Sequence, residues 1–268
     1  MSLVSAEVLT PLLDDQVTRN KRRAALIVAG FVLAVTAGIS LFGLLIGAGA
    51  AALVVAVVAA AALALAASWK ADALALAMSD ARPADPVAHA RLHNLVEGLC
   101  MTAGLPKPRV HVIDDAALNA FATGRSPRHA AIAVTTGLTE TMNRIELEGV
   151  LAHELSHVKN HDIAVSTLVV ALLGPVALLL PVPTARLIEM AVGRRREALA
   201  DLAGVAVTRY PPGLIAALEK LREGTTVVRS GSRATAHLWL ACPVAGKDGR
   251  RFETHPPLEE RIAVLREL

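Results

Sequence analysis

His153 and His157 stand four residues apart, with Glu154 between them, in the segment HELSHVKNHD. On a helix this spacing is one turn plus a little, so both imidazoles face one side and can share a Zn²⁺ ion. Glu154 projects beside them, where it can take a proton from a metal-bound water whose pKa the ion lowers to roughly 7. Leu147, Val150, Leu151, Leu155 and Val158 recur at helical spacing, which predicts a helix from Arg144 with one buried face. The plain alternative is a surface helix whose histidines bind nothing.

A catalytic zinc ion needs a third protein ligand and an open position. His161 fails on distance, because eight helical residues from His153 rise about 12 Å while zinc–nitrogen bonds are about 2 Å. The longer HExxHxxGxxH pattern also fails: Lys159 stands at its glycine and Ile163 at its last histidine. A better candidate lies in REALAD, where Glu197 could complete a His₂Glu set. Asp201, four residues on and on the same face, could hold a ligand histidine by its other ring nitrogen. Alternatively, Glu197 balances Arg194 to Arg196 through ordinary helix pairing.

The elements that must position these groups are unusually aliphatic. Apolar residues make up 54% of the 268, aromatics 3% and charged residues 19%, which points to a membrane class rather than a soluble one. No charge occurs from Ala24 to Trp69, and about 20 residues span the hydrocarbon core, so residues 24–69 are expected to form a transmembrane helical hairpin. The run is too long for a signal-peptide core of roughly 7 to 15 residues. GLLIGAGA, Gly43 to Ala50, is the expected turn, and Gly43 with Gly47 forms a small-xxx-small pair suited to close helix approach. Residues 1–23 are expected to be a cytoplasmic, mobile tail.

The basic clusters Lys21-Arg22-Arg23 and Arg194-Arg195-Arg196 flank apolar segments, which suggests membrane-flanking charge rather than a nucleic-acid surface. Lys21 to Arg23 and Lys70 bracket the two spans, so the positive-inside rule places both ends, and everything after residue 70, in the cytoplasm. Cys100 and Cys242 are too few for a disulfide framework and fit a reducing compartment.

Residues 70–268 are expected to form a compact α+β domain, mainly helical. DPVAHARLHNLVEGLCMTAGL (85–105) is amphipathic and ends in the helix stop Gly-Leu-Pro. RVHVID (109–114), NAFATG (119–124) and AAIAVTTG (130–137) read as short strands, with RSPRH a turn between the last two. A helical pattern resumes near Ala185 and continues through GRRREALADLAG, and further helices are expected at 212–223 and from Pro257.

NAFATG, HELSHVKNHD, RRREALAD and THPPLEERI occur in this order, and through them the chain resembles the M48 family of zinc metalloproteases, in particular the HtpX-like membrane proteases. The resemblance covers about residues 70 to 268. It implies a zincin-like domain with a small β-sheet, holding one Zn²⁺ through His153, His157 and Glu197. It makes Glu154 the general base and acid and Asp201 the residue that orients a ligand histidine. It further implies that His255 stabilises the oxyanion, a task calling for a positioned donor. Asn119, Ala120 and Phe121 would lie on an edge strand that pairs with substrate backbone, with Asn119 reaching a substrate amide or carbonyl.

HtpX-like proteins usually carry two more spans between the HExxH helix and the glutamate ligand, whereas only 39 residues separate His157 from Glu197. Residues 163–183 would extend about 32 Å as one helix, enough for a single crossing. A single crossing would strand Glu197 on the wrong side. The expectation is therefore a proline-bent helical hairpin that dips into the bilayer or packs beside the first.

The function expected is a membrane-anchored zinc endopeptidase that cuts misfolded or exposed segments of membrane proteins on the cytoplasmic side. Its partners would be polypeptides and the lipid bilayer, not nucleic acid. A membrane-bound sensor module of similar fold is the competing function, since such sensors share an HELxHxKxxD-type stretch; they usually carry an added ligand-binding domain. An intramembrane protease is disfavoured, because the HExxH helix begins NRIELE and ends KNHD.

Overall fold

In the computed structural model, which describes residues 6–47, 49–179, 181–193, 195–246 and 255–268, the uncharged run becomes two long helices. These are α1 (Ala6–Leu45) and α2 (Gly49–Met78), and both are long and apolar enough to cross a membrane. Between them Gly47 takes the left-handed φ of 76° that glycine adopts without penalty. Large apolar side chains such as Leu33, Phe42, Val54 and Leu65 are exposed along both helices, as expected of surfaces solvated by lipid rather than water. Gly43 is buried, but Gly47 belongs to the turn and not to a helix seam. The close packing falls instead on Ala56, Ala60 and Ala64 of α2, a buried small-residue row at i, i+4, i+8.

Two expected boundaries are corrected. Residues 6–23 are not a tail: they are the first turns of α1, with Gln16 and Asn20 buried. Residues 1–5 lie outside the described residues. Nor does a new unit begin at residue 70, because α2 runs on to Met78 and packs Ala75 and Leu76 beneath the sheet.

That sheet comprises β1 (Arg82–Pro83), β2 (Arg109–Ile113), β3 (Ala120–Gly124) and β4 (Ala130–Thr135), in the order β1-β2-β4-β3. β2 and β4 are parallel, while the outer pairs are antiparallel. Side chains alternate across it, and both faces are covered. Ala120, Ala122, Ile132 and Val134 meet α3 (Ala90–Ala103) and α5 (Arg144–Lys159) through Leu95, Leu99, Leu147 and Leu151. On the other face, Phe121, Ala131 and Ala133 meet α2, Trp239 and Val170 of α6 (Asp162–Leu179). A short α4 (Thr136–Thr141) follows β4.

α5 begins with a capping box. The Asn143 carboxamide oxygen accepts from the backbone N–H of Glu146, and the Glu146 carboxylate accepts from that of Asn143. Beyond α5 the chain runs out along α6 and back along α7 (Pro181–Val192), which packs against it; α6 also packs against α1 and α2. The helix expected to run unbroken from Ala185 is interrupted at Gly193, with φ 72°, and α8 (Arg195–Thr208) starts afresh. α9 (Pro211–Glu223) and α10 (Leu258–Arg266) complete the fold and pack on each other.

Candidate metal centre

α5 and α8 lie side by side, and Gly204 is what lets them. A Cβ there would stand 3.0 Å from the backbone nitrogen of His153 and 3.1 Å from its Cα. Gly204 follows Glu197 and Asp201 at i+7 and i+3, on the same face of α8, so that close approach delivers both carboxylates to the histidines.

His153, His157 and Glu197 are all buried, and one ligand atom from each lies within 4.8 Å of the others. The two Nε2 atoms are 3.2 Å apart. Glu197 places Oε2 3.5 Å from His153 Nε2 and Oε1 3.6 Å from His157 Nε2. Among the described residues neither Glu197 oxygen has a hydrogen-bond partner, a costly condition for a buried carboxylate that a cation would relieve. Arg196 Nε is 3.0 Å from Oε1 but poorly aligned for a hydrogen bond.

Each imidazole is fixed from behind. His153 Nδ1 lies 2.8 Å from Asp201 Oδ1, and His157 Nδ1 lies 2.9 Å from Asp162 Oδ2. A carboxylate partner places the ring proton on Nδ1, so both Nε2 lone pairs face the same point as Glu197. Two imidazoles with inward Nε2 atoms and a carboxylate around one point form a donor set that fits a divalent transition metal.

The electrostatics agree with that geometry. Burial and Arg261 oppose protonation of His153, but the Asp201 carboxylate at Nδ1 and the nearby Glu197 carboxylate outweigh them and push its pKa up to about 9. The position between the ligands thus favours positive charge. Burial alone would raise the Glu197 carboxyl; His255, His157 and Arg196 around it hold it well below the usual carboxylate range. Glu154, next to His153 and also buried, is shifted upward by burial. That brings the carboxylate closer to the basicity a general base needs at neutral pH.

The structure therefore brings together His153, His157, Glu197 and Asp201 as the sequence suggested. His255 joins them: it is buried, its Nε2 lies 3.4 Å from Glu197 Oε1, and burial pushes its pKa down to about 3, so the ring is neutral. His161 stays out, at the turn between α5 and α6, with a left-handed φ of 58°.

Two sequence expectations fail here. Asn119, Ala120 and Phe121 are completely buried, and the outer edge of β3 is already paired. Trp239 bridges to Phe121, Leu240 N donates to Ala120 O at 2.8 Å, and the Asn119 carboxamide donates to Ala241 O and Thr226 O. The strand edge assigned to substrate is thus occupied by the chain's own residues 239–241. Arg196 is not a membrane-flanking charge either. It is buried, donating to Ser166 Oγ and to His237 O, beside Glu197. Arg194 lies outside the described residues.

Two further groups escaped the sequence reading. Arg261 of α10 grips Asp201 with Nε and Nη2, at 2.9 and 2.7 Å from the two carboxylate oxygens, a forked geometry that suits guanidinium and carboxylate. Burial works against its charge, and Asp201 more than offsets this. Asp162, inside HELSHVKNHD, was passed over for His161. A buried ligand histidine needs an acceptor for its second nitrogen, and that requirement could have identified it.

The chain matches the model of peptidase family M48 over residues 86–268. It is 40% identical to a protease HtpX homolog of Tropheryma whipplei (strain Twist) over 286 residues, covering 94% of this chain and 97% of that protein. A protease HtpX homolog of Streptococcus thermophilus is 34% identical over 299 residues, covering 96% of this chain and all of the relative. Among solved structures, the chain resembles the crystal structure of S. mikatae Ste24p with a TM-score of 0.40 and 16% identity, over 76% of this chain and 58% of that one. The chain belongs to peptidase family M48 and is a metalloprotease with two helices suited to crossing a membrane.

Proposed function

We propose that the chain is a zinc-dependent endopeptidase, anchored in the bilayer by α1 and α2, that hydrolyses misfolded or exposed segments of membrane proteins on the cytoplasmic side. The observation that carries this is the convergence of two Nε2 atoms and the Glu197 carboxylate, with each Nδ1 held by its own carboxylate. Two imidazoles and one carboxylate match the protein ligands of catalytic zinc sites. A bound zinc ion would supply Lewis acidity, polarising a peptide carbonyl and acidifying water.

His153, His157 and Glu197 would hold one ion. Glu154 accepts a proton from the attacking water and passes it to the leaving amine, a transfer its raised pKa favours. Asp201 and Asp162 keep the two imidazoles in the tautomer that points Nε2 inward. His255, neutral and beside Glu197, offers an N–H donor to the carbonyl oxygen of the scissile bond.

The cytoplasmic placement rests on Lys21-Arg22-Arg23 and Lys70, which bracket the two spans. Residues 163–183 do not cross the membrane once, because the ligands lie on both sides of that segment in the sequence. α6 instead packs on α1 and α2, and α7 carries the chain back toward Glu197. A reporter that works only outside the cytoplasm, fused after Leu268, is expected to stay silent, while one that works only inside is active. The reverse pattern overturns the orientation.

A further inference from the structure

The two ligand histidines are supported in parallel ways from opposite ends of the chain. Behind His153 stands Asp201, held by Arg261 of the C-terminal helix α10. Behind His157 stands Asp162, and what holds Asp162 comes from α1. Asn20 Nδ2 donates to Asp162 Oδ1 at 2.5 Å and lies 2.9 Å from Asn160 O; Gln16 Nε2 donates to the same Oδ1 at 3.2 Å. The other carboxylate oxygen, Oδ2, takes the His157 ring.

These contacts are built rather than incidental. Gln16 and Asn20 are four residues apart on one face of α1 and only 6% and 3% exposed, whereas Asp14, Asp15, Thr18 and Arg19 around them face solvent. Burying a carboxamide is costly unless its polar atoms are used. Both donate to the carboxylate that orients a ligand, and Arg19 donates to Gln16 Oε1. Asp162 itself is 2% exposed, so the amide donors supply the hydrogen bonds that water cannot reach it to make.

We infer that α1 is a working part of the metal centre: Asn20, assisted by Gln16, is a positioning residue that fixes Asp162 and, through it, His157. The membrane hairpin then does more than anchor the domain, since a shift of α1 along or away from the α5–α6 turn changes how tightly the site holds its ion. This inference rests on the proposed role of His157 as a ligand.

The test is a double-mutant cycle on the full-length protein in lipid nanodiscs, with Co²⁺ affinity measured by chelator competition and the visible absorption of bound Co²⁺ as the geometric readout. Asn20→Ala is expected to weaken Co²⁺ binding about tenfold and shift the cobalt spectrum, at the lower end of the 10–100-fold effect of outer-shell partners. Thr18→Ala, on the exposed face of the same helix, should change neither. In an Asp162→Asn background, Asn20→Ala should add less than about twofold, because its route to the metal is already broken. An unchanged affinity in Asn20→Ala, or an equal loss in both backgrounds, overturns the inference. Should Asn20→Ala not fold, Gln16→Ala serves in its place, with an expected loss of a few fold and the same overturning outcomes. His157→Ala separates the two ideas: full Co²⁺ affinity there removes the ligand assignment itself, whereas loss there beside wild-type affinity in Asn20→Ala removes only the role of α1.

Discussion

Replacing Glu154 by Gln is expected to leave one zinc ion bound per chain and to lower peptide cleavage by about 10²–10⁴-fold, the usual contribution of a positioned general base. The side chain is only 1% exposed, and glutamine matches glutamate in size, so the packing between α5 and α8 is retained. What disappears is the capacity to accept a proton. Glu154 is not among the three groups whose ligand atoms converge, so metal content should not follow activity down. Initial rates on an unfolded reporter polypeptide, beside metal analysis of the same preparation, check both halves. Cleavage within a few fold of the unmodified enzyme would remove Glu154 from its role.

Glu197→Ala is expected to do the opposite: most of the zinc is lost, and cleavage falls to background as a consequence. Two buried imidazoles remain, but the one carboxylate among the described residues that faces both Nε2 atoms is gone. The substitution also leaves Arg196 without its acidic neighbour, and an uncompensated buried charge costs about 3–5 kcal/mol. Arg196 still donates to Ser166 and His237, which limits that cost. Glu197→Gln is the companion variant, because it keeps the shape and one acceptor oxygen. Its zinc affinity should fall between that of the native protein and Glu197→Ala, with helical content unchanged in both.

Local periodicity made the first half of the site legible. The four-residue spacing of His153 and His157 needed only a helix, and the apolar positions around them supplied it. Glu197 and Asp201 were legible because they too share a helix face, and because a catalytic zinc ion demands a third ligand. The uncharged run and its glycine turn likewise announced two long helices.

What remained hidden depends on contacts between distant parts of the chain. Gln16 and Asn20 sit in a polar stretch with no amphipathic signal, and their partners lie about 140 residues further on. Arg261 falls inside the quoted THPPLEERI motif, but nothing in its neighbourhood indicates that it faces Asp201. β1 is two residues long and ends in proline, too short for any alternation. The occupied edge of β3 was missed for the same reason: residues 239–241 carry no strand pattern, and only the folded chain lays them against Phe121. Arg196 shows how a cluster can mislead, since it is buried beside the metal centre while the sequence suggests a uniform basic flank.

The central claim is that His153, His157 and Glu197 together hold a zinc ion. Zinc K-edge X-ray absorption on the full-length protein in nanodiscs tests it most directly. The expected first shell contains two imidazole nitrogens and oxygen, all at about 2.0–2.1 Å. Cys100 and Cys242 are the only thiols in the chain, so sulfur at about 2.3 Å would place the metal elsewhere. Either that signal or scattering from only one imidazole would contradict the account.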